Sequence, residues 1–294
     1  MMQEIDFVKF NPTQNMTILV KSNHPAEDYK HIASQLMSYD SLHAEQVGFI
    51  NRSSNPVAAA SLQMAGGEFC GNACMSMAAY LAANSGMESD GVMEIKLETS
   101  GTNQLVSCRA RREGDVYLCQ VAMPLPYAVE SKSATYGGEE IPLVLVKYER
   151  AFHVVIEADR FSEEWMRKAE GLAKLLGLAF DSGLIGILMF NSETFEMASL
   201  IYLPGLDSMV WEKGCGSGTA SVGAYLSWRN KENVSARIKQ PGGTIQVSAE
   251  YGGQKVTSLQ IEGAVSIVAH GKAFIDTERS RQNGCIPSAA PIFN

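Results

Sequence analysis

The strongest constraint on how this chain can fold is a local unit that occurs twice at a fixed separation. Glu68-Phe69-Cys70-Gly71-Asn72-Ala73 and Trp211-Glu212-Lys213-Gly214-Cys215-Gly216-Ser217-Gly218 each place a Cys-Gly pair ahead of a run of small residues. Each run continues to Ala-Tyr-Leu, at Ala79-Tyr80-Leu81 and at Ala224-Tyr225-Leu226. Cysteine to cysteine and tyrosine to tyrosine, the separation is 145 residues, about half of the 294-residue chain. A period this long predicts two related halves, each with enough residues to bury a core of its own.

Each unit reads as a glycine-bearing turn that opens a helix. Glycine lets the backbone approach a ligand closely, and the first amides of a helix are unpaired donors at the positive end of its dipole. Such a place attracts an anion and favours a thiolate, with a thiol pKa of roughly 3.5 to 7.5 in known helix-terminal cysteines. One cysteine beside a turn is more often a packed residue, and it is the second copy that points to chemistry. Residues 72–84 are small or apolar on every face, which predicts a helix buried all round, ended by Gly86. For the second helix Ser217 is the expected N-cap, with Arg229 and Lys231 in the last turn.

The remaining periodicity is mostly that of strands. Alternation predicts strands at 5–10, 17–20, 47–50, 58–63, 93–98, 104–111, 116–123 and 141–148, with a turn at Asn11-Pro12. A helix opening near Pro25 carries Tyr29, Ile32, Ala33 and Leu36 on one face. Pro124 and Pro126, leading into the polar stretch 130–136, mark the domain boundary. Strand 152–156 precedes a helix capped by Ser162, with Trp165, Ala169, Leu172, Leu175 and Leu176 as its apolar face. Strands at 185–190 and 197–203 lead to the second cysteine unit, and strands return from 244 to 275. Residues 276–294 have no period and read as a tail, where Cys285 has no catalytic role.

Composition narrows the function. A net charge of -8 with no basic stripe argues against nucleic acid as a partner. The N-terminus lacks a basic start and an apolar run, and no apolar stretch has the length of a membrane span, so a cytoplasmic protein with no membrane partner is expected. The six cysteines and five histidines show no zinc spacing, and no metal site is expected. Cys74, Cys108 and Cys119 are expected to pack in the core, although Cys74, one turn beyond Cys70, is also placed for redox chemistry.

Two cysteines on two helix starts predict a seam where thiols face each other across a small molecule. Inverting a stereocentre needs a base on one face and an acid on the other, and a thiolate and a thiol exchange those roles as turnover reverses. The amides of Gly71, Asn72, Gly216 and Ser217 are candidates to hold a substrate carboxylate. The scheme requires no cofactor. Gly216-Ser217-Gly218 lacks the third glycine of a dinucleotide fingerprint, and no lysine has a pyridoxal-phosphate context.

The two Cys-Gly units resemble those of the diaminopimelate epimerase and proline racemase superfamily. The closer resemblance is to the histidine racemases of staphylopine-type metallophore biosynthesis. It is carried by Asn11-Pro12, Asn15 to Val20, Glu45-Gln46-Val47-Gly48-Phe49-Ile50, both cysteine units, and Gln240-Pro241-Gly242-Gly243. The resemblance implies an α+β fold of two pseudo-symmetric domains, each a mixed, barrel-like sheet around a central helix, with the active site in the cleft between them. The domains implied are 1–126 plus 264–294, with Cys70, and 127–263, with Cys215. It also implies Cys70 and Cys215 as the acid/base pair, and Asn15, Gln46 and His153 near the substrate.

Asn15 and Asn72 serve equally well as turn or cap residues, and His153 as a core hydrogen-bonding group. Diaminopimelate epimerases carry an arginine in a longer Glu-Arg-Gly-x-Gly-Glu-Thr segment before the second cysteine, for which this chain has no counterpart. A lysine does not replace that planar clamp for a distal carboxylate. Glu45 and Glu212, unless plain surface carboxylates, suit an ammonium or an imidazole N–H instead. The expectation is a cofactor-independent amino-acid racemase, histidine first, feeding an opine-type metallophore pathway. Its partner is a small amino acid, with a homodimer compatible. The alternatives are diaminopimelate epimerase or another epimerase of the superfamily and, from other classes, an amino-acid-binding module or a thiol redox protein.

Overall fold

The computed structural model describes residues 2–180 and 182–276; the segment beyond Asp276, with Cys285, lies outside the described residues. In the first half the chain forms β1 (Met2–Pro12), β2 (Thr17–Val20), α1 (Tyr29–Met37), β3 (Gln46–Asn51), β4 (Ala60–Met64), α2 (Gly71–Asn84), β5 (Val92–Thr99), β6 (Val106–Glu113) and β7 (Val116–Ala122). The second half forms β8 (Ala128–Tyr136), β9 (Glu139–Lys147), β10 (Ala151–Glu157), α3 (Glu163–Ala179), β11 (Leu184–Asn191), β12 (Glu196–Leu203), β13 (Ser208–Glu212), α4 (Gly216–Asn230), β14 (Val234–Gln240), β15 (Gly243–Tyr251) and β16 (Val256–Asp276).

The two halves repeat one order of connections. An outer helix links a parallel pair in each half, α1 between β2 and β3, and α3 between β10 and β11. A central helix does the same, α2 between β4 and β5, and α4 between β12 and β14. Parallel neighbours need such a crossover, so the repeated Cys-Gly-helix unit sits at the same step of each half. The fold is the expected α+β arrangement, but its strands form one continuous 16-stranded sheet whose two halves close unequally. Strands β1 to β7 form a ring because β16 pairs with both β7 and β1. The second half runs from β16 through β15, β14, β12, β11, β10 and β9 to β8, which has no second neighbour among the described residues and leaves that ring open there.

Side-chain size explains the layers. The outer helices are amphipathic, and each closes a separate core: Tyr29, Ile32, Ala33 and Leu36 over β1 to β3, and Ala169, Leu172 and Ala173 over β9 to β12. The central helices share one core with both halves of the sheet, and their alanines, serines and glycines allow strands to approach on every side. At Gly223 even a methyl group would run into Val247 of β15.

Several expectations need correction. The polar stretch 130–136 is an edge strand within β8, whose pairing with β9 satisfies the backbone groups on that side while Ser131, Lys132, Ser133 and Thr135 are exposed. The turn after β1 lies at Thr13 and Gln14, both left-handed at φ 55° and 57°, two residues later than Asn11-Pro12. Leu175 is exposed, because it falls about 240° around α3 from the buried Ala169. Lys231 caps α4 in the left-handed conformation, just outside its last turn. Among the described residues, no helix is long and apolar enough to cross a membrane, and no group of three or more His, Cys, Asp or Glu is placed to hold a metal ion.

Candidate active site

Both candidate thiols occupy the same structural position: each cysteine is the N-cap of its central helix. Cys70, at φ -133° and ψ 112°, accepts at sulfur from the Ala73 N–H, 3.4 Å away, and Cys215, at φ -103° and ψ 107°, accepts from the Gly218 N–H at 3.3 Å. A sulfur thus replaces the usual hydroxyl or carboxylate cap oxygen. The cap expected at Ser217 is therefore at Cys215 itself, with Ser217 inside the first turn and its hydroxyl 3.5 Å from the Cys215 sulfur.

The two helix starts meet. Asn15 and Asn72 both donate through Nδ2 to the Gly214 carbonyl, at 2.8 and 2.9 Å, so residues of the first half grip the main chain next to the second cysteine. Side chains added at Gly71 and at Gly216 would each come within 3.0 Å of Ile261 of β16, and one at Gly216 would lie 3.1 Å from Asn72 Oδ1. The left-handed turn at Thr13 and Gln14 presses the Thr13 carbonyl against Gly214 and Gly242, where a Cβ would collide with it. Only glycine admits so close a backbone approach.

Gln46 organises the Cys70 side. Its Nε2 donates to Asn15 Oδ1 at 3.1 Å and to Thr17 Oγ1 at 2.9 Å, and its Oε1 accepts from the Cys70 thiol at 2.7 Å. Asn72 is buried, and its Oδ1 has no hydrogen-bond partner among the described residues, leaving an acceptor at the junction of the helices.

The electrostatics reverse one expectation. Burial, followed by the charges of Glu68 and Glu212, outweighs the Ala73 and Asn72 amides and pushes the Cys70 thiol up to about 12. Burial also raises Cys215 well above an ordinary thiol, with Glu212 adding to the effect. Both thiols are thus biased toward the neutral form, because excluding water costs a thiolate more than helix amides return. Burial raises the carboxyl of Glu212 too, its hydrogen bonds with Cys215 and Asn15 lower it, and the charge of Glu45 raises it again. Glu45, at the exposed rim, is likewise raised, mainly by loss of solvent.

His153 stands behind the second helix. Its Nδ1 lies 2.6 Å from Ser221 Oγ on α4, a hydroxyl that Tyr148 also meets at 2.8 Å. Burial pulls the imidazole down to about 4 and keeps it neutral. This geometry supports a role in holding α4. Cys74, Cys108 and Cys119 are buried free thiols, as packing requires. Sequence reasoning assigned no role to Gln240 or Thr219, which lie against the Cys215 main chain; the glutamine before Pro-Gly-Gly was the available signal.

A family model described as the histidine racemase CntK N-terminal domain matches residues 4–274. The chain is similar to the histidine racemase of Staphylococcus aureus, 34% identical over 276 residues that make up 93% of this chain and 99% of that one. It is also similar to the histidine racemase of Fusobacterium nucleatum subsp. nucleatum, 30% identical over 93% of this chain and 98% of that one. Among solved structures, a hydroxyproline epimerase from Agrobacterium vitis superposes with a TM-score of 0.67 at 12% identity, covering 93% of each chain. A probable proline racemase from Agrobacterium radiobacter superposes with a TM-score of 0.69 at 12% identity, covering 94% of each. At that identity the solved structures speak for the fold alone, the sheet-wrapped central helices of racemases and epimerases. The family model and the curated relatives carry the assignment further: this chain belongs to the histidine racemase CntK family.

Proposed function

We propose that this protein is a cofactor-independent histidine racemase in which Cys70 and Cys215 exchange protons with the two faces of Cα. The observation that carries the reading is the pair of cysteine N-caps on two helix starts that interlock through Asn72 and Gly214. In one direction a thiolate removes the Cα proton while the opposite thiol delivers its own proton to the other face. The product leaves with inverted configuration, and the two sulfurs have exchanged protonation states.

The helix-start amides of Gly71, Asn72, Gly216 and Ser217 hold the substrate carboxylate and the charge that develops beside it. Asn72 Oδ1, the unpaired acceptor, takes the α-ammonium. Glu212, hydrogen-bonded to Cys215, accepts the proton that makes that thiol a base, and Glu45 at the rim faces the imidazole N–H. Asn15 and Gln46 hold the Cys70 side in register. The division into 1–126 plus 264–294 and 127–263 is supported by the pairing of β16 with β1 from Val265 to Asp276. A cytoplasmic location, homodimeric assembly and supply of D-histidine to an opine-type metallophore belong to the same proposal.

Incubating the protein with L-histidine in deuterated water should give D-histidine and deuterium at Cα, read by chiral chromatography and proton NMR. Cys70→Ser and Cys215→Ser should each lower the rate by about 10²- to 10⁴-fold. Full activity without either thiol would discard the mechanism. A panel including diaminopimelate, proline and alanine tests the substrate: preference for diaminopimelate would return the chain to the rival reading.

A further inference from the structure

We propose that Gln240 is a positioning residue for Cys215, seating its main chain at the start of α4 and, through it, the thiol. The proposal rests on the two-thiol reading above. Gln240 is the last residue of β14, directly before Pro241-Gly242, and its side chain is buried. Its Oε1 accepts from the main-chain N–H of Cys215 at 2.6 Å, and its Nε2 donates to Thr219 Oγ1 at 2.8 Å. Thr219 Oγ1 in turn donates to the Cys215 carbonyl at 2.7 Å. These three bonds close a buried ring that fixes the peptide groups on both sides of Cys215.

The ring answers a local need. An N-cap residue has extended dihedrals, and its N–H lies outside the helical ladder, so when buried it must find another acceptor. Gln240 supplies one. That N–H is then engaged, the Gly218 N–H is on the sulfur, and the amides left for a ligand at this helix start are those of Gly216 and Ser217.

The first half is built differently. The residue four positions after Cys70 is Cys74, which has no hydroxyl to close such a ring, and Gln46 holds Cys70 at its sulfur instead. One thiol is seated through its backbone and the other through its sulfur. Loss of Gln240 therefore moves Cys215 relative to Gly218 and Glu212 and leaves Cys70 in place.

Gln240→Leu retains most of the bulk and removes both polar contacts, whereas Gln240→Glu keeps an acceptor for the Cys215 N–H. Alkylation by iodoacetamide, followed thiol by thiol in the intact chain by mass spectrometry, is measured beside kcat and KM for L-histidine. In Q240L the ratio of Cys215 to Cys70 alkylation rates should change by about threefold or more. Its kcat should fall about 10- to 100-fold with KM nearly unchanged, and Q240E should recover part of the loss. An unchanged alkylation ratio would overturn the proposal, and so would equal shifts at both thiols together with a lower melting temperature. If Q240L does not fold, Thr219→Val opens the same ring from the other side and should shift Cys215 alone; no shift there overturns it equally. Failure of the racemase reading would appear separately, as the absence of deuterium exchange in the parent protein.

Discussion

In the proposed mechanism Glu212 serves activity at the expense of stability. Burial holds its carboxyl above the ordinary carboxylate range, so ionising it at neutral pH works against the fold. A group whose folded pKa is raised contributes stability that is present below its unfolded pKa and is lost as pH rises through its folded pKa. Glu212→Gln should therefore raise the melting temperature at pH 7 and abolish the acid limb of the kcat/KM profile, while lowering kcat/KM itself. His153 behaves in the reverse sense. Its folded pKa of about 4 lies below the ordinary 6.5, so it contributes stability above pH 6.5 that is lost as pH falls toward 4. The span corresponds to roughly 3 kcal/mol. In His153→Gln, chemical unfolding between pH 7 and pH 4 should show a shallower decline than in the parent. The thiols, raised above their ordinary range, add no pH dependence of their own across that span.

Among the elements, α3 separates what period alone predicts from what packing decides. Trp165, Ala169, Leu172, Leu175 and Leu176 were all expected inward, yet Leu172 is buried and Leu175 is exposed. Leu172→Ala should cost about 2–5 kcal/mol in chemical unfolding, and Leu175→Lys should stay within about 0.5 kcal/mol of the parent. The N-cap of α3 was legible, since Ser162 accepts from the Trp165 N–H at 3.3 Å in the usual way. The N-cap of α4 was not, because propensity favours the hydroxyl of Ser217 over a sulfur, and only the path of the chain out of β13 places Cys215 at the cap. The edge strand β8 was missed for a similar reason: with no buried alternation, its hydrogen bonds to β9 define it.

Across the whole molecule, one strand joins the two repeats. β16 pairs with β15 at its start, with β7 in its middle and with β1 from Val265 onward, and its Ile261 lies under both helix starts. With the core around α2 and α4 shared as well, the halves should unfold together, and far-UV and near-UV circular dichroism should report one coincident transition in denaturant. Two separate transitions would show that the halves hold their structure independently. The sequence by itself determined the duplication, the buried central helices, most strands to within a few residues, the place of two cysteines at the helix starts and, through resemblance, the family. These are properties of local pattern and spacing, which short stretches of chain carry on their own. Only the tertiary structure decided that Gly214 receives both asparagines, that Gln240 accepts from the Cys215 N–H, that His153 stands behind α4, and that burial raises both thiols. Each of these depends on which distant residues share a dry space, and desolvation in that space outweighs the helix-end effect that a local reading predicts.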